Sequence, residues 1–344
     1  MSPPHSVIRS IMLVLDHPDV QRLLSMPECI GVMEAALRQL AVGDMLQPLR
    51  SVVRRPDNLG FLGLMPSFAG GTIDAFGLKA VCIFPGNTAR GLDSHLGAVL
   101  LFSGQTGELL AVINAAAVTA IRTAAVSAVA TRLLARADSR RLVIFGTGVQ
   151  AVTHIEAMNA VLTLEQVSIV GRTPVRAREF VARMRDRLHV RLEAAVDAGE
   201  AVGRADVVVT VTSSREPVLR REWIAAGTHI NLVGSSVPAA READSATMAA
   251  GSLFVDRRES TVNESGDYLE ALREGAIPHD HIRAEIGEIL HGAANGRTDT
   301  KEITIFKSLG LAVEDLAAAS FLYHKALNEK CGTEVQFDLE AHHA

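Results

Sequence analysis

The stretch Arg141-Leu142-Val143-Ile144-Phe145-Gly146-Thr147-Gly148-Val149-Gln150-Ala151 constrains this chain more than any other. A short apolar run ends in Gly-x-Gly-x-x-Ala and passes into a helical pattern, which reads as a strand, a tight turn and a helix N-terminus. Gly146 permits the turn, Gly148 lets a pyrophosphate approach the backbone, and Ala151 keeps the helix close to the sheet. The helix start offers unpaired N–H groups and the positive end of a dipole to phosphates. Gly146, Thr147, Gly148, Val149 and Gln150 are therefore assigned to a dinucleotide site. Glycine turns after strands are common, so the assignment draws its strength from the surrounding pattern.

That pattern alternates. Strands are expected at Leu142–Phe145, Gln166–Val170, Asp206–Thr210, His229–Leu232 and Ser252–Val255, with helices at Val149–Val161 and Val175–Leu188 between them. Strand–helix alternation predicts a doubly wound parallel sheet, an α/β Rossmann fold. The first third reads differently. A strand at Ile11–Leu15 precedes amphipathic helices. Strand-like runs then follow at Arg50–Arg55, Gly60–Pro66, Ala75–Ile83, Ala98–Phe102 and Leu109–Ile113, the last two flanking a Gly-Gln-Thr-Gly turn. This predicts a second α+β domain built on an open sheet. A long Ala-rich helix, Ala115–Leu134, links the two patterns, and a last helix, Val313–Lys325, is expected to return to the first domain. The 344 residues suffice for two domains.

Composition narrows the function. The net charge is −5 with no long basic block, so no nucleic-acid partner is expected. The apolar stretch near residues 111–137 carries Arg122, Arg132 and Arg136, which predicts a buried helix and no membrane association. Cys29, Cys82 and Cys331 lie far apart without metal-ligand spacing and read as reduced thiols. The N-terminal residues lack a charged-then-apolar leader pattern, and together these features predict a cytoplasmic protein. His279 and His281 around Asp280 match no zinc template, so no metal is expected.

Several charged residues stand in apolar surroundings. Arg172 follows the second nucleotide-binding strand at Gly171-Arg172-Thr173, where an NAD-specific site carries Asp or Glu. A guanidinium there suits a 2′-phosphate, and Thr173 adds a hydroxyl. NADPH is thus the expected cofactor, with NADH the alternative. Lys79 interrupts the strand Leu78-Lys79-Ala80-Val81. It reads as an outward-facing amine, as an ammonium facing a substrate carboxylate, or as a proton donor. Arg50 and Arg122 fit a carboxylate clamp or salt bridges. His95 is a catalytic acid candidate or a solvated loop histidine. Glu285 and Glu288, three apart, fit an acid/base pair or a solvated helix face.

Together, Met65-Pro66, Phe76-Gly77-Leu78-Lys79, Ser94-His95, Arg122-Thr123-Ala124-Ala125, the Gly146–Ala151 turn, His229-Ile230-Asn231-Leu232-Val233-Gly234 and residues 306–315 resemble the ornithine cyclodeaminase/mu-crystallin family. They occur in family order over about residues 40–325. The resemblance implies a homodimer and two domains. Residues 1–120 and 315–344 would form the substrate-binding and dimerisation domain, and residues 121–314 the Rossmann domain. Arg50, Lys79 and Arg122 would hold a substrate carboxylate, with Lys79 and His95 the catalytic candidates. Thr123, Val211, Val233, Gly234, Ser235, Ser308 and Leu309 would join the glycine turn, Arg172 and Thr173 around the cofactor.

The branch is read from what is missing. Cyclodeaminases of the family carry an Asp where Ser236 stands and a Glu shortly before Met65, where this chain has Phe61-Leu62-Gly63-Leu64. The chain looks more like the ketimine-reductase branch. The expected reaction is NAD(P)H-dependent reduction of Δ1-pyrroline-2-carboxylate or Δ1-piperideine-2-carboxylate to L-proline or L-pipecolate. An alanine-dehydrogenase-like or iminosuccinate-reductase-like enzyme is the next reading, then ornithine cyclodeamination, then a non-catalytic NADPH-binding sensor.

Overall fold

A computed structural model describes residues 11–188 and 190–337. The chain forms two compact units, each assembled from separated segments. The first takes residues up to 25, 44–119 and from 312 onward; the second takes 26–43 and 120–311. Residues 1–10 and 338–344, which the expected first domain included, lie outside the described residues.

The second unit is built on an eight-stranded sheet. Its order is Leu192–Ala194, Gln166–Val170, Arg141–Phe145, Val207–Thr210, His229–Leu232, Thr304–Lys307, Ser252–Val255 and Ile282–Glu285. Every neighbouring pair is parallel. Parallel strands are covered on both faces, and Val207–Thr210, His229–Leu232 and Thr304–Lys307 are buried at every residue. From Arg141–Phe145 the chain first adds strands on one side, then crosses back and continues from Val207 on the other. That reversal opens a crevice at the carboxyl ends of these two strands. The glycine turn stands there.

The expected helix Val175–Leu188 begins at Pro174 and ends at Met184; Thr173 caps it by accepting from Arg176 N at 3.3 Å. Five short strands escaped the sequence pattern: Met45–Leu46, Leu192–Ala194, Ile282–Glu285, Thr304–Lys307 and Thr333–Gln336. Runs of two to four residues are too short to display a period.

The first unit holds a second sheet, ordered Thr333–Gln336, Ile11–Leu15, Leu109–Asn114, His95–Ser103, Ala75–Ile83, Phe61–Ala69 and Met45–Leu46, with Ser51–Arg54 also paired to Phe61–Ala69. Its neighbours are antiparallel except Ile11–Leu15 with Leu109–Asn114. The helix Ala312–Glu329 covers one face of the central strands. Gly77 allows close approach there, since a Cβ on it would stand 3.0 Å from Leu316.

One segment departs from the expected partition. The helix Met26–Ala41 belongs to the second unit, although residues 1–120 were expected to stay together. Its buried stripe of Cys29, Ile30, Met33, Ala36 and Leu37 packs on the helices Ile286–His291 and Val149–Val161. Gly287 fits under it because a Cβ would lie 2.3 Å from the Leu37 carbonyl. Burial of that stripe, not proximity in sequence, decides where the helix sits.

Two buried histidines make the second unit acid-sensitive. His154 lies between Ser127 Oγ (3.0 Å from Nε2) and the Gln150 carbonyl (2.8 Å from Nδ1), and burial pushes its pKa down to about 4. His229, beside Thr304 Oγ1 at 3.0 Å, is pushed down to about 3, by burial first and then by the charge of Arg297. Unfolded histidine titrates near pH ~6.5. The unfolded chain therefore holds more protons below that pH, and stability is full above it and lost as pH falls toward 4. A His154→Gln variant should take up as much as one proton fewer on unfolding across this window. Urea unfolding midpoints measured from pH 4 to 7 will check it: an unchanged slope would refute the role given to His154.

Candidate active site

The glycine turn has the geometry its sequence implied. Gly146 adopts φ +132°, and a Cβ on it would meet the Val211 carbonyl at 2.7 Å. Only glycine fits, because the chain turns against the neighbouring strand end. Gly148 differs. Its φ of −93° and ψ of −167° suit any residue, and a Cβ on it would meet nothing within 4 Å. It is the N-cap of Val149–Val161 and supplies no side chain to the helix's first N–H groups. The open space at this helix N-terminus fits a pyrophosphate. Ala151 is buried, as its place against the sheet requires.

Arg172 is exposed just past Gln166–Val170 and makes no hydrogen bond or ion pair with a described residue. Thr173 serves as a helix cap. The turn after this strand, Gly171-Arg172-Thr173, carries no acidic residue of its own.

Of the other predicted cofactor residues, Val211, Val233, Gly234, Ser235, Ser308 and Leu309 follow the carboxyl ends of strands. Gly234 is forced to be glycine: a Cβ would fall 2.2 Å from the Thr212 carbonyl. Its N–H donates to Glu242 Oε2 at 2.7 Å. The Ser235 carbonyl accepts from Lys307 Nζ at 2.5 Å, and Lys307 also lies 2.9 Å from Asp267 Oδ2. Leu309 N and Gly310 N donate to Asp256 Oδ2 at 2.6 and 2.9 Å. Ser308 is buried, and its hydroxyl has no hydrogen-bond partner among the described residues. An unpaired buried hydroxyl beside a strand-end crevice fits a polar ligand group. Arg122 is buried on the long helix Ala115–Leu134, its guanidinium against Gly310, where a Cβ would come within 2.7 Å of Nη1. Thr123 follows it and is likewise buried.

In the first unit, Lys79 is 4% exposed and Asp315 1%, with Nζ 3.0 Å from Oδ1. Lys79 pairs in register with Met65 and Val99, so its side chain joins theirs on the face covered by Ala312–Glu329. Gln47 Oε1 accepts from Val313 N at 3.0 Å and fixes the first turn of that helix. Lys79 is thus no outward-facing amine. His95 opens the strand His95–Ser103 with its Nδ1 2.9 Å from Ser94 Oγ. Its residue surface is largely accessible, yet the protein around its ring, followed by the charge of Lys79, holds its pKa below the ordinary histidine value, with Asp93 opposing. Arg50 is half-buried just before Ser51–Arg54. Of the three residues expected to hold a carboxylate, Arg50 and Lys79 belong to the first unit and Arg122 to the second.

Other candidates are absorbed by the fold. Glu288 Oε2 accepts from Glu285 N at 2.8 Å and Arg258 Nη2 at 2.9 Å, and Glu285 Oε1 accepts from Arg258 N at 2.8 Å. The two glutamates cap a helix and are neither an acid/base pair nor a solvated face. His281 Nε2 binds the Met248 carbonyl at 2.8 Å.

Sequence reasoning missed Glu242, Asp256, Asp267 and Asp315. Lys307 carried the one available signal, a cation ending the apolar run Thr304-Ile305-Phe306.

The profile of the ornithine cyclodeaminase/mu-crystallin family matches residues 11–330, and the chain belongs to that family. It is 36% identical over 327 residues to the Delta(1)-pyrroline-2-carboxylate reductase of Bacillus thuringiensis subsp. konkukian, covering 95% of this chain and 100% of that protein. It is 41% identical over 313 residues to the mouse ketimine reductase mu-crystallin, covering 90% and 94%. The Thermococcus litoralis Delta(1)-pyrroline-2-carboxylate reductase, solved with NADH and L-proline, superposes with a TM-score of 0.91 at 40% identity, over 94% of this chain and 100% of that one.

A Gly148→Val change separates fold from binding. The side chain points into open space at an ordinary φ, so the melting temperature should stay within a few degrees, on the scale of a neutral surface change of about 0.5 kcal/mol. Dinucleotide affinity should fall at least tenfold. Fluorescence titration with NADPH will read it; undiminished binding would mean that the pyrophosphate does not lie on this turn.

Proposed function

We propose that the chain is an NAD(P)H-dependent reductase of imines that carry a neighbouring carboxylate. Its substrates are Δ1-pyrroline-2-carboxylate and Δ1-piperideine-2-carboxylate, and its products L-proline and L-pipecolate. The observation that carries this reading is the whole-chain likeness to the reductase solved with NADH and L-proline. The absence of a carboxylate from Phe61-Leu62-Gly63-Leu64 and from position Ser236 supports it, since an amine-bearing ornithine needs partners that a cyclic imine does not.

The glycine turn holds the pyrophosphate, and Arg172 with Thr173 holds the 2′-phosphate of NADPH. When bound, the reduced nicotinamide supplies the hydride that converts the C=N carbon to a CH–NH centre. Arg50, Lys79 and Arg122 bind the substrate carboxylate and set the carbon's position, which supplies the proximity term. Protonation of the imine nitrogen makes its carbon a better acceptor, and Lys79 or a water it holds delivers that proton. Asp315 fixes the Lys79 ammonium. His95, with its lowered pKa, is the weaker donor.

The enzyme works as a homodimer. Register places Leu64, Phe68, Phe76, Leu78, Leu96 and Leu100 on the sheet face opposite Lys79, where Phe76 is 48% and Leu96 43% exposed. A contiguous apolar face of this kind marks an association surface, and a second copy supplies a matching one. Its free thiols suit the cytoplasm.

Purified protein should oxidise NADPH rapidly with Δ1-pyrroline-2-carboxylate and slowly with pyruvate plus ammonia or with L-ornithine. Activity confined to the keto acid plus ammonia would overturn the reading. Lys79→Ala alone strands a buried carboxylate, a change that costs about 3–5 kcal/mol. The Lys79→Met/Asp315→Asn pair should therefore fold better, bind NADPH normally and lose at least a hundredfold in kcat/KM. Retained turnover would remove Lys79 from the chemistry. Arg172→Ala should raise KM for NADPH at least tenfold and leave KM for NADH nearly unchanged; equal effects would rule out the 2′-phosphate contact.

A further inference from the structure

Glu242 belongs to no predicted motif, yet it is fully buried between His229–Leu232 and the helix Ser245–Ala250. Each of its oxygens accepts twice. Oε1 takes Thr212 N and Thr212 Oγ1, both at 2.7 Å; Oε2 takes Gly234 N at 2.7 Å and Thr210 Oγ1 at 2.8 Å. One carboxylate thus ties the segment after Val207–Thr210 to the segment after His229–Leu232. Among side chains only an ionised carboxylate offers four acceptor positions on two oxygens. A glutamine would set its amino group against either Thr212 N–H or Gly234 N–H.

The charges around it do not cancel. Lys307 is also fully buried, paired with Asp267 and bonded to the Ser235 carbonyl. Asp267 Oδ1 in turn accepts from Glu242 N at 2.7 Å and Ala243 N at 3.0 Å. Burial pushes the Glu242 pKa up, and the charge of Lys307 and the Thr212 hydrogen bonds oppose that rise. With both carboxylates ionised, Lys307 offsets one of them, and the group of three keeps one net negative charge beneath Val233-Gly234-Ser235.

We propose that Glu242 is a positioning residue for the nicotinamide end of the cofactor, fixing the two strand-end segments that receive it and biasing binding toward the oxidised form by its charge. The proposal rests on the dinucleotide reading above. The oxidised nicotinamide ring carries a positive charge that the reduced ring lacks. A buried anion near the ring therefore favours the oxidised form, which is the state left after reduction of an imine.

The test measures dissociation constants of NADP⁺ and NADPH by titration calorimetry, without turnover. In Glu242→Gln the ratio Kd(NADP⁺)/Kd(NADPH) should rise on the order of tenfold, the scale of one charge acting through a medium of effective dielectric about 20. In Lys307→Gln the net charge becomes more negative and the ratio should fall. Glu242→Asp keeps the charge and should leave the ratio near that of the unaltered protein, even where both affinities weaken. Should Glu242→Gln fail to fold, the sign of the Lys307→Gln change decides. A ratio constant within about twofold, or one that moves the same way in both charge variants, overturns the proposal. Failure of the unaltered protein to bind either dinucleotide would instead sink the reading on which it rests.

Discussion

Parallel strands that stop at a crevice leave backbone N–H groups without sheet partners, in a place too dry for water to serve them all. This chain meets that constraint with buried carboxylates. Glu242 takes the N–H groups of Thr212 and Gly234, and Asp256 takes those of Leu309 and Gly310. An orphaned buried donor costs about 1–3 kcal/mol, so each carboxylate removes two such penalties while fixing a ligand-facing loop. Buried anions carry their own desolvation cost. Lys307 offsets part of it from inside the same group. The crevice is therefore rigid through its polar interior, and its shape depends on charges that solvent barely reaches.

Wherever the backbone is the functional element, the sequence was easy to read. Gly146, Gly148 and Ala151 sit in one local run, and the alternation of strands around them follows from burial on both sheet faces. The place of Arg172 just past Gln166–Val170 was legible because one helix and one strand separate it from the glycine turn. Lys79 stood out as a cation in an apolar run; Lys307, at the end of another, carried the same signal and was passed over. Their partners did not. Asp315 lies 236 residues from Lys79 and Asp267 lies 40 from Lys307, and acidic residues at helix starts such as Glu314-Asp315 look locally like ordinary first-turn charges. Glu242 in Arg241-Glu242-Ala243-Asp244 carries no local signal at all, because its role is made by two strand ends that only the folded sheet brings together. The displacement of Met26–Ala41 into the other unit has the same origin: amphipathicity announces a buried face but not the surface that buries it.

The two units divide labour in residue chemistry. The second contributes backbone donors, a helix N-terminus and buried charge balance, which suit a large charged cofactor. The first contributes a cation locked by a carboxylate on a stiff antiparallel sheet, which suits a small anionic substrate. Their cores are distinct in kind as well, alternating burial in one and continuous burial in the other.

The segmentation of the first unit bears on how the chain is made. Its sheet can be drawn from residues 11–114, but the helix that covers the sheet begins only at Ala312, and the edge strand beside Ile11–Leu15 only at Thr333. On the ribosome the intervening unit, 120–311, emerges in between. Until the last tenth of the polypeptide is synthesised, the Lys79 face lacks the cover of Ala312–Glu329 and its ammonium lacks Asp315. The early-synthesised sheet must wait, partly assembled, for the end of translation, whereas the dinucleotide-binding unit is complete before it. A chain interrupted near residue 310 would carry a finished Rossmann sheet beside an uncovered one. That species would be recognised by chaperones and prone to aggregation, although every residue of the Gly146–Ala151 turn is in place.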